Sequence, residues 1–287
     1  MNSVSLSNPL GDILRRLRKQ LYTGYVRYVI RKTGVNRLLS TPFWRLVYAL
    51  KGGTEMHTIC GRSVDFSTDS YTEFQRFKNL VGERDVIREV LGSLEPADVF
   101  YDVGANVGMY TCFVAAELGA DQTVAFEPHE GNADRLLENL QHNGLDAEVI
   151  RVALSNSEGK VDLAVAGEQA GEGEHAIATG SAAKAIEIDA NRGDALINRR
   201  DLPEPTVVKI DVEGAELAAL EGLRSSLQES CRLVFCEVHP RKLRNFGSDE
   251  EDIHQLLQSH GFKTDIIHRR GDEYFVKAER MDDTATV

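Results

Sequence analysis

The 287-residue sequence has no apolar run of about 18 residues, the length a helix needs to cross a bilayer. Its amino-terminal stretch has no apolar segment followed by a small-residue cleavage site, so no secretory leader is expected. Cysteine is scarce. Cys60, Cys112, Cys231 and Cys236 form no C-x-x-C pair, and Cys112 and Cys236 sit inside apolar runs. That pattern argues against a disulfide framework or a thiolate zinc site, and for buried thiols in a reducing, cytoplasmic setting. Lysine is scarce as well, at 10 of 33 basic residues. With 45 acidic residues and a net charge of −12, the chain has little to offer nucleic-acid phosphates, and no nucleic-acid partner is expected. High acid with little lysine also suits the surface of a protein from a high-salt cytoplasm.

What the chain does have is unevenly placed. Hydrophobic residues make up 42% of it, enough for one sizeable core with an appended element. Residues 1–51 carry ten basic residues and one acid, a charge of +9 that leaves −21 for the remainder. Leu10, Leu14, Leu17 and Leu21 fall on one helical face, with Arg15, Arg16, Arg18 and Lys19 between them. Two readings of this basic helical arm stay open. Its apolar face packs on protein, or residues 10–32 lie on an anionic membrane surface, the inner one for a cytoplasmic protein. Residues 52–82 read as a connecting segment, 83–280 as one α/β domain and 281–287 as a tail.

From Glu83 onward, helices and strands alternate. Helices are expected over 84–94, 108–118, 130–142, 215–227 and 249–259. Strands are expected over 99–103, 123–127, 147–154, 206–212 and 232–238, with an antiparallel pair closing the chain. Alternation of this kind gives an open, mostly parallel sheet with helices on both faces. Residues 166–184 are small and polar and read as a flexible insertion.

Four motifs end strands where open α/β sheets bind ligands. D-V-G-A-N-V-G at 102–108 joins a strand to a helix, so Gly104 and Gly108 admit a ligand close to the backbone and to the helix amides. Its G-x-x-x-G spacing differs from the G-x-G-x-x-G of nicotinamide binders. Asp102 would repel a pyrophosphate but suits an ammonium or sulfonium, the charges of S-adenosylmethionine. In F-E-P, Glu127 ends the next strand, 23 positions after Gly104, where an acid accepts both ribose hydroxyls of an adenosine. In K-I-D-V-E-G, Lys209, Asp211 and Glu213 alternate and are expected on one side of a strand end. In C-E-V-H-P, Glu237 and His239 share a side, and His239 is a candidate general base. Asp211, Glu213, Glu237 and His239 could also form a hard-metal site, but no spacing compels it and no metal is assigned.

Taken together, VFYDVGANVGMYT, FEPHEGNADRLLENLQHN, VALSNSEG, VVKIDVEGAE and VFCEVHP resemble the FkbM-type methyltransferases over roughly residues 83–280. The resemblance implies a class I, Rossmann-like methyltransferase that takes S-adenosyl-L-methionine and methylates oxygen. Its acceptor would be a sugar or glycan hydroxyl, or a uronic acid carboxyl, with a lipid-linked or cell-surface glycan as the expectation. It maps Asp102, Gly104, Asn106, Gly108 and Glu127 to cofactor positions, sets Asn132 and Ala153 beside the adenosine, and puts the K-I-D-x-E-G strand end at the acceptor. His239 or Asp211 would take the acceptor's proton, with Lys209 holding the acceptor or fixing Asp211. On the residues alone two other readings stay open: a nicotinamide-dependent oxidoreductase, and a noncatalytic scaffold for the basic arm.

Overall fold

The computed structural model describes residues 9–21, 35–51, 53–164, 176–177 and 185–281. The chain divides into two compact units, one of residues 1–56 and 65–81, the other of residues 57–64 and 82–287. The basic arm and most of the segment after it therefore belong to one unit. No helix among the described residues is long and apolar enough to cross a membrane.

The first unit holds α1 (Pro9–Leu21), α2 (Val35–Lys51) and α3 (Tyr71–Phe77). Strands β1 (Thr54–Ile59) and β2 (Arg62–Ser67) form a two-stranded sheet. Helix α3 starts with a capping box, in which Ser70 Oγ accepts from Glu73 N and Glu73 Oε2 accepts from Ser70 N. The faces of α1 are not disposed as a leucine stripe suggests. Leu10, Ile13 and Leu17 are 51%, 48% and 46% exposed. The guanidiniums of Arg15 and Arg18 instead lie over the Trp44 ring, 5.7 and 4.9 Å from its centroid, and Arg15 pairs with the buried Glu55. Arginine is weakly hydrated and stacks on aromatic faces, so a helix with arginine on one side and leucine on the other can turn either side inward. Residues 22–32 of the expected amphipathic segment lie outside the described residues.

The second unit is built on a seven-stranded sheet in the order β12-β13-β11-β10-β3-β4-β5. Its parallel strands are β3 (Phe100–Val103), β4 (Thr123–Phe126), β5 (Glu148–Ile150), β10 (Val207–Ile210) and β11 (Leu233–Val238). Strands β12 (Phe262–Arg270) and β13 (Glu273–Arg280) close it antiparallel, as the sequence leads one to expect. Every residue of β3, β4, β10 and β11 is buried, the pattern of parallel strands covered on both faces. The covering helices are α4 (Arg84–Ser93), α5 (Met109–Leu118), α6 (Glu130–His142), α7 (Gly193–Arg200), α8 (Glu216–Gly222), α9 (Arg224–Glu229), α10 (Pro240–Asn245) and α11 (Glu250–Ser259).

Two expected elements are broken. The strand expected over 147–154 is two: β5 in the main sheet, and β6 (Ala153–Leu154) in a second sheet of order β6-β9-β7-β8. Strands β7 (Gly159–Ala164), β8 (Ala176–Ile177) and β9 (Ala185–Asn191) complete that second sheet, and β7 pairs antiparallel with both its neighbours. Of the expected flexible insertion at 166–184, only Ala176 and Ile177 are described. The helix expected over 215–227 breaks at Leu223, whose φ of −111° and ψ of 21° divide α8 from α9.

Candidate active site

At the carboxyl ends of β3, β4 and β10 lies a cavity with about 660 Å³ of empty space, part of it open to solvent. Gly104, Asn106, Glu127, Asn132 and Ala153 line it from the β3, β4 and β6 side, and Asp211 and Glu213 line it from the adjoining end of β10. Leu163, from the second sheet, adds a wall that sequence patterning did not assign. The turn after β3 passes against the end of β10. A Cβ on Gly104 would stand 2.0 Å from the carbonyl oxygen of Asp211, and its φ is +76°. Gly108 does not line the cavity. It starts α5 at φ +85°, with room for no Cβ because Leu136 Cγ would lie 2.9 Å away.

Glu127 closes the first side. Its Oε2 accepts from Asn106 N at 2.8 Å, and its Oε1 accepts from His129 N at 2.9 Å and from Asn132 Nδ2 at 3.4 Å. Burial pushes its pKa up to about 7, against the pull of those hydrogen bonds. The carboxylate thus stands fixed between two loops, with lone pairs left for a vicinal diol.

Asp102 and Lys209 lie behind the cavity wall. The parallel register of β10 on β3 sets them side by side. Asp102, fully buried, accepts from Thr111 Oγ1 at 2.6 Å and pairs with Lys209 Nζ at 3.0 Å. Lys209, 2% exposed, also donates to the Gly104 carbonyl at 3.1 Å. Burial works against its charge, but Asp102 and Asp211 outweigh burial and hold its pKa above the ordinary lysine value. The two residues expected at cofactor and acceptor therefore meet each other and tie the turn to the strand beneath it. The alternation expected of Lys209, Asp211 and Glu213 also ends early. Strand β10 stops at Ile210, and Glu213 takes a left-handed φ of +56°.

The Asp211 side is crowded with charge. His239 is 2% exposed. Its Nδ1 lies 2.6 Å from Glu216 Oε1, and its Nε2 lies 3.3 Å from Glu213 Oε2 and 3.9 Å from Asp211 Oδ1. Burial works against a charge on the ring, but the Glu216 hydrogen bond, Asp211 and Glu213 outweigh it and push its pKa up to about 10. The ring is thus embedded among carboxylates and does not line the cavity, an awkward placement for the expected general base. Glu237 Oε1 accepts from Arg270 Nη2 at 2.8 Å, and Lys242 pairs with Glu213. Burial, Asp211 and Glu83 raise the Glu237 pKa. Motif reading missed Glu83, Tyr110, Glu216, Lys242 and Arg270, which come from five separate segments. Glu216 and Tyr110 stood in legible places, at the end of VVKIDVEGAE and within VFYDVGANVGMYT.

Residues 102–264 match the Methyltransferase FkbM domain. Over 225 residues the chain is 34% identical to the hexuronic acid methyltransferase AglP of Haloferax volcanii, covering 78% of this chain and 88% of that protein. It is 26% identical over 245 residues to the AMB antimetabolite synthetase AmbE of Pseudomonas aeruginosa, covering 73% of this chain and 11% of that much longer protein. The crystal structure of a methyltransferase FkbM from Methylobacillus flagellatus aligns with a TM-score of 0.47 at 18% identity, over 65% of this chain and 45% of that one.

Proposed function

The chain belongs to the FkbM methyltransferase family, and on that footing we propose that it transfers a methyl group from S-adenosyl-L-methionine to a carboxylate oxygen of a hexuronic acid. The oxidoreductase and scaffold readings give way to the family. The observation that carries the proposal is 34% identity to a hexuronic acid methyltransferase along 88% of that protein's length.

The Glu127 side of the cavity fits an adenosyl group. Glu127, fixed by the Asn106 and His129 amides, would accept the ribose hydroxyls. Asn132 and Ala153 would flank the base, and the Gly104 turn, held against the end of β10, would border the amino-acid part. Asp102 and Lys209 act from behind, holding that turn. S-adenosylmethionine, when bound, supplies an electrophilic sulfonium methyl. The residues of the Asp211 side align an acceptor oxygen with that methyl and exclude water, which is where a positioned site gains most of its rate.

A carboxylate acceptor suits this geometry better than a hydroxyl. A hydroxyl must lose a proton to a base that reaches it; His239 sits behind the cavity with carboxylates at both ring nitrogens, which leaves Asp211 and Glu213, lining carboxylates of a type weakly basic toward an alcohol. A carboxylate brings its own anionic oxygen. The test is methyl transfer from labelled S-adenosylmethionine to a glucuronide and to the matching glucoside. Base-labile label on the glucuronide alone is expected. Base-stable label on the glucoside would contradict the carboxylate reading.

A further inference from the structure

We propose that Asp211, Glu237 and His239 form a binding site for a hard divalent cation of the Mg²⁺ or Mn²⁺ type, and that the ion bridges the protein to the acidic acceptor. The second half rests on the function proposed above; the first does not. Each residue offers an atom that lies within 4.8 Å of the other two, a cluster set at the adjacent ends of β10 and β11. The ring of His239 is already oriented for such a role. Its Nδ1 is taken by Glu216, a fully buried carboxylate, so Nε2 faces the cluster, 3.9 Å from Asp211 Oδ1 and 3.3 Å from Glu213 Oε2, which an ion on Nε2 would displace. A carboxylate on the far nitrogen is how metal-bound imidazoles are commonly fixed.

Two buried atoms point to a missing occupant. Asp211 Oδ1 is shielded from solvent and has no hydrogen-bond partner. Tyr110, 3% exposed, turns its hydroxyl toward Glu83, Asp211 and Glu237, beside Glu83 yet without the geometry of a hydrogen bond. Buried polar atoms are seldom left this way, and an ion with its waters would satisfy both.

Charge counting leads to the same place. Glu83, Asp211, Glu213, Glu216 and Glu237 gather here, while Arg270 is engaged by Glu237, Lys242 by Glu213 and Lys209 by Asp102, and a bound ion would take the place of the proton that His239 otherwise holds among them. An anionic acceptor would enter a site already rich in like charge. A divalent ion removes that repulsion and offers open positions to acceptor oxygens. Two carboxylates and one imidazole, with no thiolate in the set, favour magnesium or manganese over softer metals.

The experiment is a Mn²⁺ titration of the chelator-treated full-length protein, with free Mn²⁺ followed by electron paramagnetic resonance. One ion per chain is expected. Asp211→Asn and Glu237→Gln should each weaken binding at least tenfold, and S-adenosylhomocysteine binding by each variant shows that it is folded. Glu216→Gln, acting only through the ring, should weaken Mn²⁺ less than either ligand change. No Mn²⁺ binding by the unaltered protein, or equal binding by both ligand variants, overturns the site. Transfer to a glucuronide should fall at least tenfold in chelator and return with Mn²⁺. Transfer indifferent to metal, with Mn²⁺ still bound, removes the bridging role. Mn²⁺ binding without transfer to a glucuronide under any condition would instead sink the proposed acceptor and leave the site standing.

Discussion

The Glu127 side of the cavity and the charge cluster behind its Asp211 side are built on opposite plans. At the Gly104–Glu127 end, the polar atoms are bonded mainly to backbone amides of adjacent loops. At the Asp211–His239 end, charges are bonded to other charges drawn from separate strands and helices. The first plan gives a mould whose shape is complete before any ligand arrives. The second gives a cluster whose balance depends on what else is present, whether a proton, a cation or a substrate. A fixed mould suits the proposed donor, which is constant, and an adjustable cluster suits the charged acceptor proposed above.

The mould is the easier end to break. Gly104→Ala would drive a Cβ into the Asp211 carbonyl from a left-handed backbone. A loss of more than about 4 kcal/mol of stability is expected, at the exceptional end for a point change. Thermal unfolding reads it directly. A variant that melts within a degree or two of the unaltered protein would show that the turn yields, and that the mould is not rigid.

The same contrast explains what was legible in the sequence. The mould is local: D-V-G-A-N-V-G and F-E-P each lie within a few residues, so the motifs nearly spell the site. Even there, the pairing of Asp102 with Lys209 was not legible, because only the register of β10 on β3 brings the two together. The cluster is nonlocal. Glu83, Tyr110 and Arg270 have no common spacing; Tyr110 falls inside a quoted motif, but nothing in the sequence ties it to Glu83 or Arg270. The alternation of strands and helices was readable because fully buried parallel strands are short apolar runs. The break between β5 and β6 was not, since an apolar stretch does not record that it leaves one sheet for another. The two faces of α1 were visible, but periodicity cannot say which face turns inward.

A subtler change sharpens the comparison through pH. Glu127 has a folded pKa of about 7 against an ordinary value of 4.5, so ionising it in place costs stability. Both states are protonated below pH 4.5, and the cost grows as pH rises from there to about 7, then levels off. Glu127→Gln removes that dependence. The variant's melting temperature should therefore gain on the unaltered protein by a few degrees across that window and stay constant beyond it. A constant difference at all pH values would mean that Glu127 is not held in a desolvated position.

The division of labour between the ends is tested most directly by calorimetric titration of S-adenosylhomocysteine into three proteins: unaltered, Glu127→Ala and Glu237→Gln. Losing the Glu127 carboxylate should weaken binding by about 1–3 kcal/mol, because it strands hydrogen-bond donors on both ligand and loop. Glu237→Gln, in the charge cluster proposed to serve the acceptor, should bind within about twofold of the unaltered protein. Equal losses in both variants, or a loss confined to Glu237→Gln, would contradict the account.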